Sequence, residues 1–258
     1  MKWFRCFCKT VACLTVALVY ALSSAGVWLS SRNREKRLEN FSRCTHFFSA
    51  IMLRAIGLDL QVHHRAQSKK IRGGTLLVAN HLSYLDILIL ASIRPMLFIS
   101  SVELAHTFFL GHLAKLGGTV FVERRSPAFL PQELAKVAHL LRRNFVVVLF
   151  PEAGTSDGEE IRPFKSALFQ AAVQAGTRVQ PACIRYTHLD GIPVTSATRR
   201  RVVWHGTLFP VHAIKLLTHK GIQAEVDIFP PLEARSCHRK ELARHCLELI
   251  QSRYQHAW

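Results

Sequence analysis

Apolar residues run uncharged from Val11 to Leu29. Wound as a helix, those 19 residues span about 28 Å, close to the ~30 Å hydrocarbon core of a bilayer. From Leu58 onward the pattern changes to short apolar runs bounded by turn residues, alternating with segments of helical period. Strands are predicted at Leu58–His63, Thr75–Asn80, Met96–Ser101, Thr119–Glu123, Phe145–Phe150, Val179–Arg185, Arg201–Gly206 and Gln223–Phe229. Helices are predicted at Tyr84–Ser92, Thr107–Leu116, Pro131–Arg143, Ala167–Ala175 and His238–Arg253. Strand–helix alternation implies an α/β fold with a mostly parallel sheet covered by helices, preceded by an N-terminal membrane-anchoring helix. The expected organisation is an anchor and amphipathic segment over 1–57 and an α/β domain over 58–258.

The first 57 residues admit more than one reading. Lys2, Arg5 and Lys9 precede the apolar run, and Arg32, Arg34, Lys36 and Arg37 follow it, so charge bias gives only a slight preference for a cytosolic C-terminal side. A cleaved signal peptide is the rival, with Ser23-Ser24-Ala25 as its small-residue site. The run is long for such a peptide, and a retained anchor, spanning or half-buried, is favoured. Residues 33–43 read as a charged connector. Phe47–Leu60 carries apolar residues at helical spacing and suits either a membrane surface or the domain core.

Composition narrows the partner. The net charge is +17 and the pI about 10.2, which calls for something anionic: nucleic acid, an anionic membrane lipid surface, or a phosphorylated or CoA-type substrate. No nucleic-acid motif sharpens the first option, and no nucleic-acid partner is expected. Seven cysteines without a Cys-x-x-Cys suit a reducing compartment and offer no zinc site. No metal and no cofactor is expected.

Candidate chemistry gathers where predicted strands end. Asn80-His81 closes one apolar run, and Asp86, five residues after His81, opens the next helix, with Ser83 as its expected N-cap. A carboxylate there can reach back to the imidazole, fix its tautomer and leave the other nitrogen as a base. Gly118 to Arg124 ends a strand in arginine, suited to bidentate phosphate binding. Phe150-Pro151-Glu152-Ala153-Gly154-Thr155 follows the most apolar strand with a carboxylate, small residues and a hydroxyl, and Lys165 adds a cation shortly after. Each stretch alone also reads as an ordinary polar turn.

Taken in order, these stretches resemble the sequence blocks of the glycerolipid acyltransferases, the family of 1-acylglycerol-3-phosphate acyltransferases. His81 to Asp86 matches the family's His-x4-Asp. Gly118 to Arg124 matches its Gly-x-x-Phe-Ile-x-Arg pattern, with Val122 for Ile. Phe150-Pro151-Glu152 matches the start of its Phe-Pro-Glu-Gly-Thr block, and Val179–Ala182 falls at the fourth. Ala153-Gly154 departs from the usual Gly-Thr, with Thr155 offering the hydroxyl instead. Val203-Trp204-His205-Gly206 looks like a Trp-Tyr-Gly element of some bacterial members, including lyso-ornithine lipid acyltransferases.

The resemblance implies direct transfer of an acyl group from acyl-CoA or acyl-carrier protein to a lysophospholipid hydroxyl, most simply that of 1-acyl-sn-glycerol-3-phosphate. His81 would be the base and Asp86 its orienting partner. Arg124, Glu152, Gly154, Thr155 and Lys165 would bind substrate. A Gly-x-Ser-x-Gly nucleophile motif is expected to be absent, which argues against a serine hydrolase. The expected location is a bacterial-type inner membrane with the catalytic domain on the cytoplasmic face. The rival from another class is a membrane-tethered protein that binds anionic lipid without catalysis.

Overall fold

The computed structural model describes residues 2–64, 71–107, 110–123, 126 and 128–254. It opens with two long helices, α1 (Lys2–Ser30) and α2 (Arg34–Ile56). They pair in opposite directions: Tyr20 meets Thr45, Ser24 meets Cys44, and Lys9 reaches the carbonyl of Ile56. The stretch expected as a connector at 33–43 is instead the Asn33 cap followed by helix from Arg34. The Asn33 side chain accepts from the amides of Glu35 and Lys36, and Gly57 closes the helix in a left-handed conformation at φ 82°. Those caps carry the helix through a stretch whose charge density masks its period. α1 is long and apolar enough to cross a membrane. Trp3, Phe4, Phe7, Leu14, Leu18 and Leu22 are exposed along it.

Among the described residues the sheet has seven main strands: β1 (Leu58–His64), β2 (Thr75–Ala79), β3 (Leu97–Ser101), β4 (Val120–Val122), β5 (Val146–Leu149), β6 (Arg178–Leu189) and β8 (Ile222–Ile228). Short strands β7 (Ile192–Pro193) and β9 (Leu232–Glu233) pair with β6. Their order across the sheet is β1-β8-β6-β2-β5-β3-β4. β6, β2, β5, β3 and β4 run parallel, while β8 is antiparallel to β6 and parallel to β1. The sheet is thus mixed and mostly parallel, as the alternation implies. β2 and β5 lie at its centre, buried along their whole length, which is why both read as unbroken apolar runs. Pro181, which has no N–H to give, sits where β6 changes neighbours from β9 to β8.

Helices α3 (Leu85–Ile93), α4 (Val102–Ala105), α5 (Leu110–Leu116), α6 (Leu130–Arg142), α7 (Gln170–Ala175), α8 (Phe209–Leu217) and α9 (Arg239–Tyr254) complete the described chain. α5 falls within the helix expected at Thr107–Leu116, of which residues 108–109 lie outside the described residues, and α4 precedes it as an unexpected short helix. Two expectations fail between 199 and 217. Arg201–Gly206 is not a strand: a 3-10 turn at Arg199–Arg201 leads into a loop whose Trp204 amide donates to the Leu82 carbonyl. Val202 and Val203 are apolar because they plug the core, not because they line a sheet. α8 is unexpected, although Pro210 in its first turn is a helix-start signal. Gly118, at φ 70°, is required twice over: a Cβ there would also stand 3.2 Å from the Phe41 Cβ of α2.

Candidate active site

The parallel run of β2, β5, β3 and β4 brings their carboxyl ends to one edge of the sheet, where ligands of open α/β folds gather. His81 follows β2 and Glu152 follows β5, its neighbour in the sheet. The turn out of β2 is made possible by Asn80. Its fully buried side chain accepts from the amide of Ile184 at 2.8 Å and donates to the carbonyl of Ile184 at 3.0 Å. A side-chain amide thereby replaces one backbone step of the ladder between β2 and β6, freeing the main chain at residue 81 to leave the sheet.

Asp86 is the second residue of α3 and is fully buried. Its Oδ2 accepts from the amides of Leu82 and Ser83, at 2.6 and 2.8 Å, and from His81 Nδ1 at 2.9 Å. A carboxylate can only accept, so Nδ1 carries the proton and Nε2 is the free nitrogen. Ser83 is not at the cap position, because α3 begins after Tyr84, but its hydroxyl accepts from the Leu85 amide at 3.4 Å, while Asp86 reaches back to amides ahead of the helix. The His81 ring stacks on Phe150 with centroids 4.1 Å apart and planes 16° apart. It is therefore held from one side by the carboxylate and from its face by an aromatic ring. This arrangement can take a proton from a hydroxyl at Nε2 and return it to a leaving group.

The loop after β5 grips the same residue. Glu152 Oε1 accepts from the His81 amide at 2.7 Å, Oε2 accepts from the Arg162 amide at 2.9 Å, and the Ser156 amide donates to the His81 carbonyl at 3.0 Å. Burial pushes the Glu152 carboxyl up to about 7, against the pull of the two amides and of His81. Glu152 thus faces backbone with both oxygens. Ala153 stands in the left-handed region at φ 62°, a conformation that the family's usual glycine adopts without cost. Gly154 is half-buried with open space beside its Cα, and the Thr155 carbonyl engages His205 Nδ1 at 3.1 Å. Lys165 is exposed, and its amide donates to the Pro151 carbonyl, which ties its main chain to the residue before Glu152. Arg124 lies outside the described residues; β4, whose last residue is Val122, ends at the same sheet edge.

Residues 154–158, Gly-Thr-Ser-Asp-Gly, do carry the Gly-x-Ser-x-Gly spacing. They do not form a nucleophile elbow, which exposes its serine on a sharp turn between strand and helix. Ser156 is buried within an irregular loop, and its Oγ accepts from the Gly158 amide at 3.3 Å. Two contributors went unseen in the sequence. Tyr186 donates its hydroxyl to Asp86 Oδ1 at 2.6 Å from 100 residues away, and Arg199 pairs with Glu159 and donates to the Asp157 carbonyl, tying down the loop. Neither has a local signal, because only the tertiary fold brings them near.

An acyltransferase family profile matches residues 59–185. A lyso-ornithine lipid O-acyltransferase of Brucella abortus is 32% identical over 95% of this chain and 94% of its own. The chain belongs to the acyltransferase family. It is also 37% identical to a 1-acyl-sn-glycerol-3-phosphate acyltransferase of Neisseria meningitidis over 52% of each protein. The crystal structure of the 1-acyl-sn-glycerophosphate acyltransferase PlsC from Thermotoga maritima superposes with a TM-score of 0.69, at 20% identity, over 99% of this chain and 97% of that one. That match shares the fold from α1 onward. The protein is accordingly an O-acyltransferase, and the reading as a binding protein without catalysis falls.

Proposed function

We propose that the protein moves a fatty acyl group from an acyl thioester, acyl-CoA or acyl-carrier protein, to the free hydroxyl of a lysophospholipid. The first acceptor is 1-acyl-sn-glycerol-3-phosphate, giving phosphatidic acid. The observation that carries the reading is the His81–Asp86 pair, with Nδ1 engaged and Nε2 free. His81 Nε2 takes the proton of the acceptor hydroxyl as its oxygen attacks the thioester carbon. Asp86 stabilises the imidazolium that forms. When the tetrahedral intermediate collapses, the carbon–sulfur bond breaks and the proton passes from His81 to the departing thiolate. Glu152 holds the His81 backbone in register, a positioning role. Arg124 and Lys165 supply positive charge for the acceptor phosphate, and Gly154 and Thr155 leave room for the head group.

A second acceptor, lyso-ornithine lipid, is favoured by one specific observation. The Trp204-His205-Gly206 element is joined to the site, through the Trp204 amide to Leu82 and the His205 ring to Thr155. Purified protein in detergent, offered a panel of lysolipids with acyl-CoA and read by mass spectrometry, separates the two. Phosphatidic acid formed with matching release of CoA is expected. Preference for lyso-ornithine lipid would move the assignment to the second acceptor, and no CoA release with any lysolipid would overturn both.

The geometry of α1 supports a location at a membrane. Arg5 and Lys9 donate to carbonyls at residues 218–220, and Tyr20 and Ser24 contact α2, so one face of the helix is docked over most of its length. The opposite face is apolar and exposed. In this reading α1 lies half-sunk in an anionic bilayer, with the catalytic domain on the cytoplasmic face of the inner membrane. Seven unpaired cysteines suit that reducing side.

A further inference from the structure

Tyr186 is one of the largest fully buried side chains in the protein, and its hydroxyl donates to Asp86 Oδ1 at 2.6 Å with the Ser83 side chain also beside it. The two oxygens of Asp86 are unequally loaded. Oδ2 takes three donors, the His81 ring and the amides of Leu82 and Ser83, whereas Oδ1 takes the tyrosine hydroxyl. We propose that Tyr186 is a positioning residue for acyl transfer, acting through Asp86: its hydroxyl fixes which carboxylate oxygen faces His81 and draws charge away from that oxygen. This rests on His81 being the base.

The fold delivers Tyr186 there by a specific route. The pairing of β2 with β6 ends at Ala79 and Ala182, and the Asn80 side chain then takes Ile184 as the next step. Tyr186 is two residues further, on the same face of the strand as Ile184, and therefore projects under the loop that carries residues 81–86. Immediately beyond it the pairing of β6 with β8 slips, between Tyr186 and His188, so the regular alternation that aims Tyr186 ends there. The phenol is pushed well above its ordinary range, first by burial and then by the neighbouring Asp86 charge, so it keeps its proton and remains a donor.

The bland alternative is a core tyrosine whose hydroxyl has merely found a partner. The two differ in what removal of one oxygen does. In Tyr186→Phe the ring still fills its site, but Oδ1 becomes a buried charged oxygen without a donor. Either that charge leans harder on the His81 imidazolium, or Asp86 takes up a proton at a higher pH than before. In both cases the active pairing of ionised Asp86 with neutral His81 is reached only at higher pH. The carboxylate is also free to rotate, which loosens the base.

The test is kcat, both KM values and the pH profile of kcat/KM for the full chain in detergent, using 1-acyl-sn-glycerol-3-phosphate or whichever lysolipid is its best acceptor. Tyr186→Phe is expected to keep both KM values near those of the parent and to move the acid limb to higher pH. Loss of one charge-assisted bond lowers kcat roughly ten- to a hundred-fold. Incorporation of 3-fluorotyrosine at 186, a more acidic and stronger donor of nearly the same shape, is expected to move the acid limb to lower pH. A folded Tyr186→Phe protein with parental kcat and pH profile overturns the proposal, as does a loss confined to KM. If Tyr186→Phe fails to fold, an unshifted profile in the fluorotyrosine protein overturns it. His81→Ala is assayed alongside. Retained turnover there would fault the base itself, whereas an inactive His81→Ala with an unaltered Tyr186→Phe faults the tyrosine alone.

Discussion

Glu152→Gln separates two roles that a carboxylate at this sheet edge can play. In the structure both oxygens accept backbone hydrogen bonds, from His81 at 2.7 Å and Arg162 at 2.9 Å. A glutamine has one oxygen, so one of these amides would meet an NH2 group instead. The His81 backbone then loses either its anchor or the loop that supports it. Loss of a charge-assisted bond at such a point is worth ~1.5–3 kcal/mol, or roughly ten- to a hundred-fold in kcat. KM for the acceptor should change little, because the carboxylate faces the main chain. Stability should move the other way. Burial holds Glu152 at about 7 in the folded state, against an ordinary value near 4.5. Between those two pH values the folded protein binds a proton that the unfolded chain has released, so the parent loses stability relative to the variant as pH rises through that window. At about 1.4 kcal/mol per pH unit the loss is on the order of 3 kcal/mol, fully present above pH 7 and absent below about 4.5. Denaturant midpoints and initial rates of the two proteins, measured from pH 4 to 8, decide the matter. A slower variant that equals the parent at low pH and exceeds it in stability at pH 8 is expected. A raised acceptor KM with kcat unchanged would refute the reasoning and return Glu152 to direct substrate contact.

Three further changes probe other parts of the account. Asn80→Ala leaves the buried amide and carbonyl of Ile184 without their partner; a cost of roughly 1–3 kcal/mol per group should appear in chemical denaturation, together with a fall in kcat. Arg124→Lys should raise the acceptor KM about ten- to a hundred-fold with little change in kcat or thioester KM, whereas equal damage from Arg125→Lys would remove the phosphate assignment. Leu14→Asp with Leu18→Asp on the exposed face of α1 should release the protein from anionic vesicles in flotation while turnover of a detergent-dispersed acceptor persists, and undiminished flotation would place the membrane contact elsewhere.

The sequence made the sheet legible where burial is simplest. β2 and β5 are buried on both faces and announce themselves as apolar runs, and His81 and Asp86 lie close enough in the chain for their pairing to be read directly. What escaped depends on distance or on the environment. Tyr186 reaches the site only because strand order places β6 beside β2, and Arg199 only because its 3-10 turn folds onto the loop after β5, and no local pattern encodes either. Val202 and Val203 mimic a strand because plugging a core and lining a sheet demand the same side chains. The helix over 34–43 is hidden because charge on a solvated face overwhelms the period, although Asn33 with Glu35 behind it is a legible cap. Glu152 was legible as a site residue but not in its orientation, since a strand-end carboxylate can face backbone or substrate with the same sequence.

The most direct measurement is acyl transfer by His81→Ala. The change removes the imidazole that stacks on Phe150 and leaves the Asp86 bonds to Leu82 and Ser83 in place, so the fold should survive. With acyl-CoA and the preferred lysolipid, and with folding verified by circular dichroism and melting, turnover is expected to fall to the limit of detection. A folded His81→Ala protein that still forms product at near-parental rate would contradict the account at its centre.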